Sequence, residues 1–177
     1  PSADKDIGLL LRQAMDKVAF LPFGLMVDRY RWQLFDGTIP ADQLNKGWND
    51  LRLEYQGIVP PVERDESGFD AGAKYHIPGN VPYTRYFLAR ILQFQFFKAA
   101  CDQAGWEGPL HRCSFYGNEE VGKNLDAMLE MGASKPWPDA LEAFTGERQM
   151  SGTAMVEYFA PLKAWLDEQN AGQTEGW

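Results

Sequence analysis

Apolar residues recur along most of the chain at the three- and four-residue spacing that is typical of helices. This spacing predicts a long first helix from Ile7 to about Phe35, with Asp6 as its N-cap. Pro22 should kink or break that helix, because proline lacks a backbone N–H and its ring clashes with the preceding turn.

The same spacing predicts further helices downstream. The second begins at residues 38–40, ends at Gly57 and carries the apolar face Leu44, Trp48, Leu51 and Tyr55. Residues 83–104 are apolar on nearly all sides, which predicts a helix that is buried all round. The last three helices should begin at Asn118, at residues 136–138 and at Ser151. The sequence therefore predicts a mainly α fold, organised as a single domain over residues 1–177.

Residues 58–82 interrupt the helical pattern, because prolines and glycines divide them into turns. Tyr75, His76 and Ile77 are the only strand-like piece of this segment. A loop of about 25 residues is unusual in a compact domain and is often functional. This loop is therefore the first candidate for a functional site.

Polar groups are densest where the loop ends and the following helix begins. Lys74, His76, Tyr83, Arg85 and Tyr86 stand there within a short stretch. A neutral histidine and a tyrosine hydroxyl can donate hydrogen bonds to a developing oxyanion, and a lysine can hold a carboxylate. Spacing alone also fits a plainer interpretation, in which the two tyrosines pack one helix face and the lysine is solvated.

Composition narrows the functional classes. The 177 residues include 17 Lys and Arg against 25 Asp and Glu, which gives a net charge of −8 and argues against nucleic-acid binding. No apolar run approaches the roughly 20 residues of a membrane span. Dinucleotide, phosphate-loop, Gly-x-Ser-x-Gly and His-Glu-x-x-His motifs are absent from the sequence.

The chain has two cysteines, Cys101 and Cys113, and two histidines, His76 and His111. The cysteines fit a local disulfide, which would indicate an oxidising compartment. Zinc held by both cysteines and His111 lacks a fourth ligand nearby. A pair of reduced core thiols also stays open.

Several stretches resemble one known family. They are FDAGAKYHIP at 69–78, VPYTRYF at 81–87, DKVAFLPF at 16–23, LRLEYQG at 51–57, ILQFQF at 91–96, GPLHRC at 108–113 and RQMS at 148–151. The chain resembles the angiotensin-converting enzyme family of zinc peptidyl-dipeptidases over essentially its whole length, and within that family it looks like a bacterial homologue. The resemblance implies the C-terminal helical portion of a two-lobed, mostly helical peptidase with a deep central cleft, which releases C-terminal dipeptides from oligopeptides.

In that family, zinc is held by a His-Glu-x-x-His helix and by a glutamate one helix later. Both would lie upstream of residue 1, so we expect this chain to be the C-terminal part of such an enzyme. By itself it should hold no metal and cleave no peptide.

The resemblance also assigns roles to residues of this chain. Lys74 and Tyr83 match the positions that grip the C-terminal carboxylate of the substrate peptide. His76 and Tyr86 match the pair that hydrogen-bonds the scissile carbonyl and stabilises the oxyanion. Phe20 and Phe23 match the aromatic residues that form the walls of the pocket for the departing dipeptide.

The same resemblance implies two chloride sites, a disulfide and a difference in substrate specificity. Trp48 and Arg52 match one chloride site and Arg85 a second, each of which draws another ligand from the upstream part. Cys101 and Cys113 match a family disulfide. Arg90 stands where an aromatic subsite residue is usual, so substrate preference does not transfer.

The expected partners are the C-terminus of a peptide substrate and the missing N-terminal part of the same enzyme. Phe20, Phe23, Trp48 and Tyr86 would face that part, so their exposure should favour a homo-oligomer. The expected location is extracytoplasmic, periplasmic or secreted. Two alternatives remain: a single-residue carboxypeptidase relative, which has Leu and Phe where this chain has Lys74 and Tyr83, and a non-catalytic interaction module.

Overall fold

The computed structural model describes residues 3–174, which form helices joined by turns. The α-helices are α1 (Ala3–Lys17), α2 (Phe20–Phe35), α3 (Leu44–Gln56), α4 (Thr84–Gln103), α5 (Glu119–Glu130), α6 (Trp137–Thr145) and α7 (Thr153–Gln169). Short 3-10 turns occupy Asp70–Ala73 and Leu110–Arg112. The mainly α prediction is confirmed. Within the described part of the chain, no helix is long and apolar enough to cross a membrane.

The predicted interruption of the first helix is present, slightly before the proline. α1 ends at Lys17 and α2 begins at Phe20. Pro22 lies in the first turn of α2, where its missing N–H would have no helical partner in any case. Asp6 is not an N-cap, because it lies inside α1, where its carboxylate contacts His111.

The second predicted helix begins later than expected. α3 starts at Leu44, and the carboxylate of Glu66 accepts hydrogen bonds from the backbone N–H groups of Asn45 and Lys46, both at 2.8 Å. Because Glu66 lies about 20 positions after the start of α3, no local sequence signal predicts this cap. The predicted end is correct, since Gly57 closes α3 in the left-handed conformation with φ of 65°.

The predicted strand over Tyr75, His76 and Ile77 is wrong. Residues 75–80 are consecutive turns, and the described residues 3–174 contain no strand. Gly79 N–H donates to the Tyr75 carbonyl at 2.8 Å, and Val81 N–H to the His76 carbonyl at 2.9 Å. These local bonds use the backbone groups that a strand would offer to a neighbouring strand.

The prediction that the helix over residues 83–104 is buried all round is also wrong. In α4 the buried residues are Phe94, Gln95, Ala100 and Cys101, and most of its other apolar side chains are partly exposed. Its apolar surface is thus larger than the described chain covers.

Internal contacts divide the chain into two compact units. One comprises the chain up to Arg12 together with Ala89–Thr174, and the other comprises Gln13–Leu88. The core of the second unit joins α2, α3 and the loop after α3; its buried residues are Met26, Val27, Tyr30, Ile39, Trp48, Leu51, Ala71, Ile77 and Tyr83. The first unit contains a separate cluster around Ala100, Val121 and Phe144. The single-domain prediction stays a prediction.

Candidate functional site

Four of the residues singled out in the sequence lie together in the unit Gln13–Leu88. The Nε2 atom of His76 is 3.4 Å from the hydroxyl oxygen of Tyr86. The ring of Tyr83 contacts both of them, with centroid distances of 4.7 Å to His76 and 4.8 Å to Tyr86. The ammonium of Lys74 lies 4.6 Å from the centroid of the Tyr83 ring. These four side chains form one connected group of contacts, which we call the tyrosine–histidine cluster.

Aromatic residues of α2 border the cluster. The rings of Phe20 and Phe23 lie 6.0 and 5.8 Å from the ring of Tyr83. Lys74 is also 5.6 Å from the centroid of Phe23, so its charge is held between two rings. Tyr83 is 5% exposed, whereas Tyr86 is 43% exposed. A ligand would therefore have much more access to Tyr86 than to Tyr83.

A cleft of about 660 Å³ opens beside Lys74. Its lining residues are Phe23, Trp48, Asn49, Arg52, Pro60, Pro61, Val62, Arg64, Phe69, Asp70, Ala73 and Lys74. Arg64 pairs with Asp70 on its wall. The cleft combines aromatic surface with the positive charges of Arg52 and Lys74, which suits an anionic group attached to an apolar body.

The predicted chloride ligands divide between two places. Trp48 and Arg52 both line the cleft, although Trp48 is only 5% exposed and so is more buried than the sequence suggested. Arg85 lies on α4 and is exposed. Arg85 does not belong to the lining of the cleft.

The charge state of His76 follows from its surroundings. Burial lowers the pKa of His76 below its ordinary value of 6.5, and the positive charges of Lys74, Arg31 and Arg85 lower it further. Its Nδ1 atom is buried without a hydrogen-bond partner. The imidazole is therefore neutral at pH 7, with its Nε2 edge turned to Tyr86.

Sequence reasoning missed two residues that hold this region together. Asp28 and Arg31 form a buried ion pair within α2, with 2.6 Å between Oδ1 and Nη1. Asp28 accepts hydrogen bonds from the backbone of Tyr83 and Thr84, and Arg31 donates to Asn80. The available signal was a pair of opposite charges, three residues apart, within an apolar stretch of helix.

The two cysteines are bonded to each other, with 6.1 Å between their Cα atoms. The disulfide predicted by the resemblance is confirmed, and both the zinc alternative and the reduced-thiol alternative are wrong. The Nε2 atom of His111 lies 3.2 Å from Oδ2 of Asp6. Among residues 3–174, no three His, Cys, Asp or Glu side chains come together as a metal site. The described residues therefore do not fit zinc.

Comparison with known proteins gives a consistent result over the whole chain. The profile of the angiotensin-converting enzyme family matches residues 1–177. Angiotensin-converting enzyme of Mesocricetus auratus is 49% identical over 176 residues, which cover 98% of this chain and 13% of that protein. The enzyme of the same name from Mus musculus is 49% identical over 174 residues, covering 97% of this chain and 13% of its own length.

Angiotensin-converting enzyme of Haematobia irritans exigua is 52% identical over 167 residues, which cover 91% of this chain and 27% of that protein. The chain thus spans between an eighth and about a quarter of the length of these relatives. On this match over its full length, the chain belongs to the angiotensin-converting enzyme family.

Proposed function

We propose that this chain is the substrate-binding C-terminal part of a zinc metallopeptidase that releases C-terminal dipeptides from oligopeptides. The observation that carries the proposal is the tyrosine–histidine cluster, in which Lys74 lies next to Tyr83 and His76 next to Tyr86, beside a cleft with cationic and aromatic walls. Membership of the angiotensin-converting enzyme family supports it.

Lys74 and Tyr83 would bind the C-terminal carboxylate of the substrate. The ammonium of Lys74 provides a charge-assisted hydrogen bond, and its position over Tyr83 restricts where the carboxylate can sit. Phe20 and Phe23 would pack against the side chains of the departing dipeptide. Because the carboxylate keeps its charge throughout the reaction, these contacts act in both the ground state and the transition state.

His76 and Tyr86 would stabilise the oxygen of the scissile carbonyl, which is negatively charged only during the reaction. A neutral imidazole and a phenol can each donate one hydrogen bond to the oxygen of the scissile carbonyl as it becomes an oxyanion. The lowering of the pKa of His76 by burial fits this role, because a permanently charged imidazolium would bind anions in the ground state as well. The 3.4 Å separation of the two donor atoms lets both approach a single oxygen.

The parent enzyme would need further groups besides the tyrosine–histidine cluster. The zinc ligands and the general base would be supplied by upstream sequence, so the chain alone should be inactive. Trp48 with Arg52, and Arg85 separately, are our candidates for chloride ligands. The disulfide supports an extracytoplasmic location, periplasmic or secreted.

Lys74 also supports dipeptide release over the removal of single residues. A single-residue carboxypeptidase relative would carry apolar Leu and Phe at positions 74 and 83, where this chain places a cation over a tyrosine ring. The alternative of a non-catalytic interaction module would be favoured by an upstream sequence that lacks a His-Glu-x-x-His motif.

The proposal is tested in a chimera, in which this chain replaces the matching segment of the Haematobia irritans exigua relative. Mass spectrometry of the products should show released dipeptides. Lys74→Ala should raise KM about 10- to 100-fold, because a charged hydrogen bond is lost in both states. Tyr86→Phe should lower kcat by about 10²–10³ with little change in KM.

Tyr116→Phe is the matched control, since it removes the same hydroxyl from a side chain that is 99% exposed and belongs to the other unit. Near-normal kcat in a folded Tyr86→Phe chimera would contradict the oxyanion role. Release of single amino acids would favour the carboxypeptidase alternative.

A further inference from the structure

A buried ion pair lies in α2 outside the tyrosine–histidine cluster. Asp28 is 2% exposed and Arg31 is 5% exposed. Removing two charges from water is costly, and an ion pair of this kind is often no more stabilising than well-packed apolar side chains. Stability alone therefore does not explain its presence, and the other polar atoms of the pair bind two further segments of the chain.

The second carboxylate oxygen of Asp28 holds the beginning of α4. It accepts hydrogen bonds from the backbone N–H groups of Tyr83 and Thr84, both at 2.7 Å, and from the Thr84 hydroxyl at 2.8 Å. Tyr86 follows within the same turn, and its N–H donates to the Tyr83 carbonyl at 2.9 Å. One carboxylate on α2 thus holds the backbone segment that carries both tyrosines.

Arg31 holds the turn that carries His76. Its Nη2 atom donates to Oδ1 of Asn80 at 2.6 Å. Asn80 has φ of 51°, a left-handed conformation that non-glycine residues adopt infrequently. Its own N–H donates to the Ile77 carbonyl, and the next residue, Val81, bonds back to His76. Arg31 therefore supports a turn whose backbone conformation is unfavourable by itself.

We propose that Asp28 and Arg31 are positioning residues that set the placement of His76 relative to Tyr83 and Tyr86. The two halves of the cluster come from different segments, a turn and a helix N-terminus. One ion pair binds both segments, Arg31 on the side of His76 and Asp28 on the side of the tyrosines. A small misplacement of reacting or binding groups has large effects, so fixing both segments to one helix has functional value. The inference rests on the proposed function, because such placement matters only if the cluster contacts a peptide.

The test uses the full 177-residue chain and NMR spectroscopy. Wild type should show nuclear Overhauser effects between the imidazole of His76 and the rings of Tyr83 and Tyr86. The probe for binding is an N-acetylated dipeptide with a free carboxylate, and the same dipeptide with an amidated C-terminus is its control.

Asn80→Gly is the mildest variant, because glycine tolerates the positive φ while the acceptor for Arg31 is deleted. We expect it to fold, to bind the dipeptide within about twofold of wild type through Lys74 and Tyr83, and to lose the contact between His76 and Tyr86. Asp28→Asn should weaken carboxylate binding about tenfold or more, because Tyr83 shifts when the charged acceptor is lost.

Arg31→Lys separates charge from geometry. Lysine keeps the positive charge beside Asp28 but cannot reach Asp28 and Asn80 together with a rigid fork. The positioning role predicts that Arg31→Lys behaves like Asn80→Gly, whereas simple charge compensation predicts wild-type spectra. Leu141→Ala, in the other unit and 2% exposed, is the control for general destabilisation.

The outcomes separate the two proposals. If wild type binds the acid and the amide equally, the carboxylate role of Lys74 and Tyr83 is wrong, and the His76 contacts still decide the positioning role. If folded Asn80→Gly and Arg31→Lys keep the wild-type contacts of His76, the positioning role is overturned. Loss of those contacts in Leu141→Ala as well would overturn it equally, because the effect would then be general.

Discussion

At the scale of the residue, His76 shows how neighbours determine a charge state. Burial and the cations Lys74, Arg31 and Arg85 oppose protonation, while Asp28 favours it less strongly. We expect an NMR titration of the His76 imidazole to give a pKa below 6.5. A midpoint at or above 6.5 would contradict the neutral-donor role.

The same titration has a consequence for stability. The pKa of His76 is lower in the folded chain than in the unfolded chain, so below about pH 6.5 the unfolded state binds more protons. The contribution of His76 to the free energy of unfolding is therefore complete above about pH 6.5, and it is lost as the pH falls through the folded pKa. In His76→Gln this part of the pH dependence should be absent.

Residues close in sequence were predictable as a group, and residues distant in sequence were not. Lys74, His76, Tyr83 and Tyr86 lie within a short stretch, so a turn followed by a helix brings them together. The partners of Asp28 and Arg31 are 49 to 56 residues away in sequence, and only the folded chain shows them.

At the scale of the element, local signals gave the helix ends that depend on local bonds. Asn118 was predicted as an N-cap, and its side chain accepts a hydrogen bond from the Val121 N–H at 3.1 Å. Asn118→Ala should lower the free energy of unfolding by about 1 kcal/mol in urea denaturation. Asn118→Asp, which keeps the acceptor, should change it much less. Equal losses in the two variants would show that the cap contributes nothing.

Elements that depend on distant partners were predicted wrongly. The sequence placed the start of α3 at residues 38–40. The observed start depends on Glu66, which lies more than twenty positions later in the chain. The strand-like composition of Tyr75, His76 and Ile77 has no neighbouring strand to pair with, and the segment satisfies its backbone in turns. The type and approximate position of the long helices could be read from the sequence, whereas such boundaries could not.

At the scale of the whole molecule, the disulfide constrains the unit that includes Ala89–Thr174. Cys101 and Cys113 are separated by 12 positions, and closing a loop of that size stabilises the fold by about 3 kcal/mol in the chain-entropy model. We expect mass spectrometry without reduction to find no free thiol. The double variant Cys101→Ser and Cys113→Ser should unfold at lower denaturant concentration, and two alkylated cysteines in the native protein would refute the pairing.

Exposed apolar side chains predict self-association of the isolated chain. The large examples with more than half of their surface exposed include Met15, Trp32, Phe35, Trp137 and Val156. Exposed apolar surface of this kind favours association. Sedimentation should give a mass that rises with concentration, and the replacement Trp32→Gln with Phe35→Gln should reduce it. A constant monomer mass from micromolar to millimolar concentration would contradict the prediction.

The hydrogen bonds of Asp28 also have a kinetic meaning. They connect α2 to the first turn of α4 across 55 residues, and the entropy cost of closing a loop increases with its length. That turn can gain its acceptor only after the intervening chain has folded back, so it should form on the late side of the folding barrier. Substitution of Asp28 by asparagine should then accelerate unfolding and leave the folding rate nearly unchanged, which a chevron plot would measure.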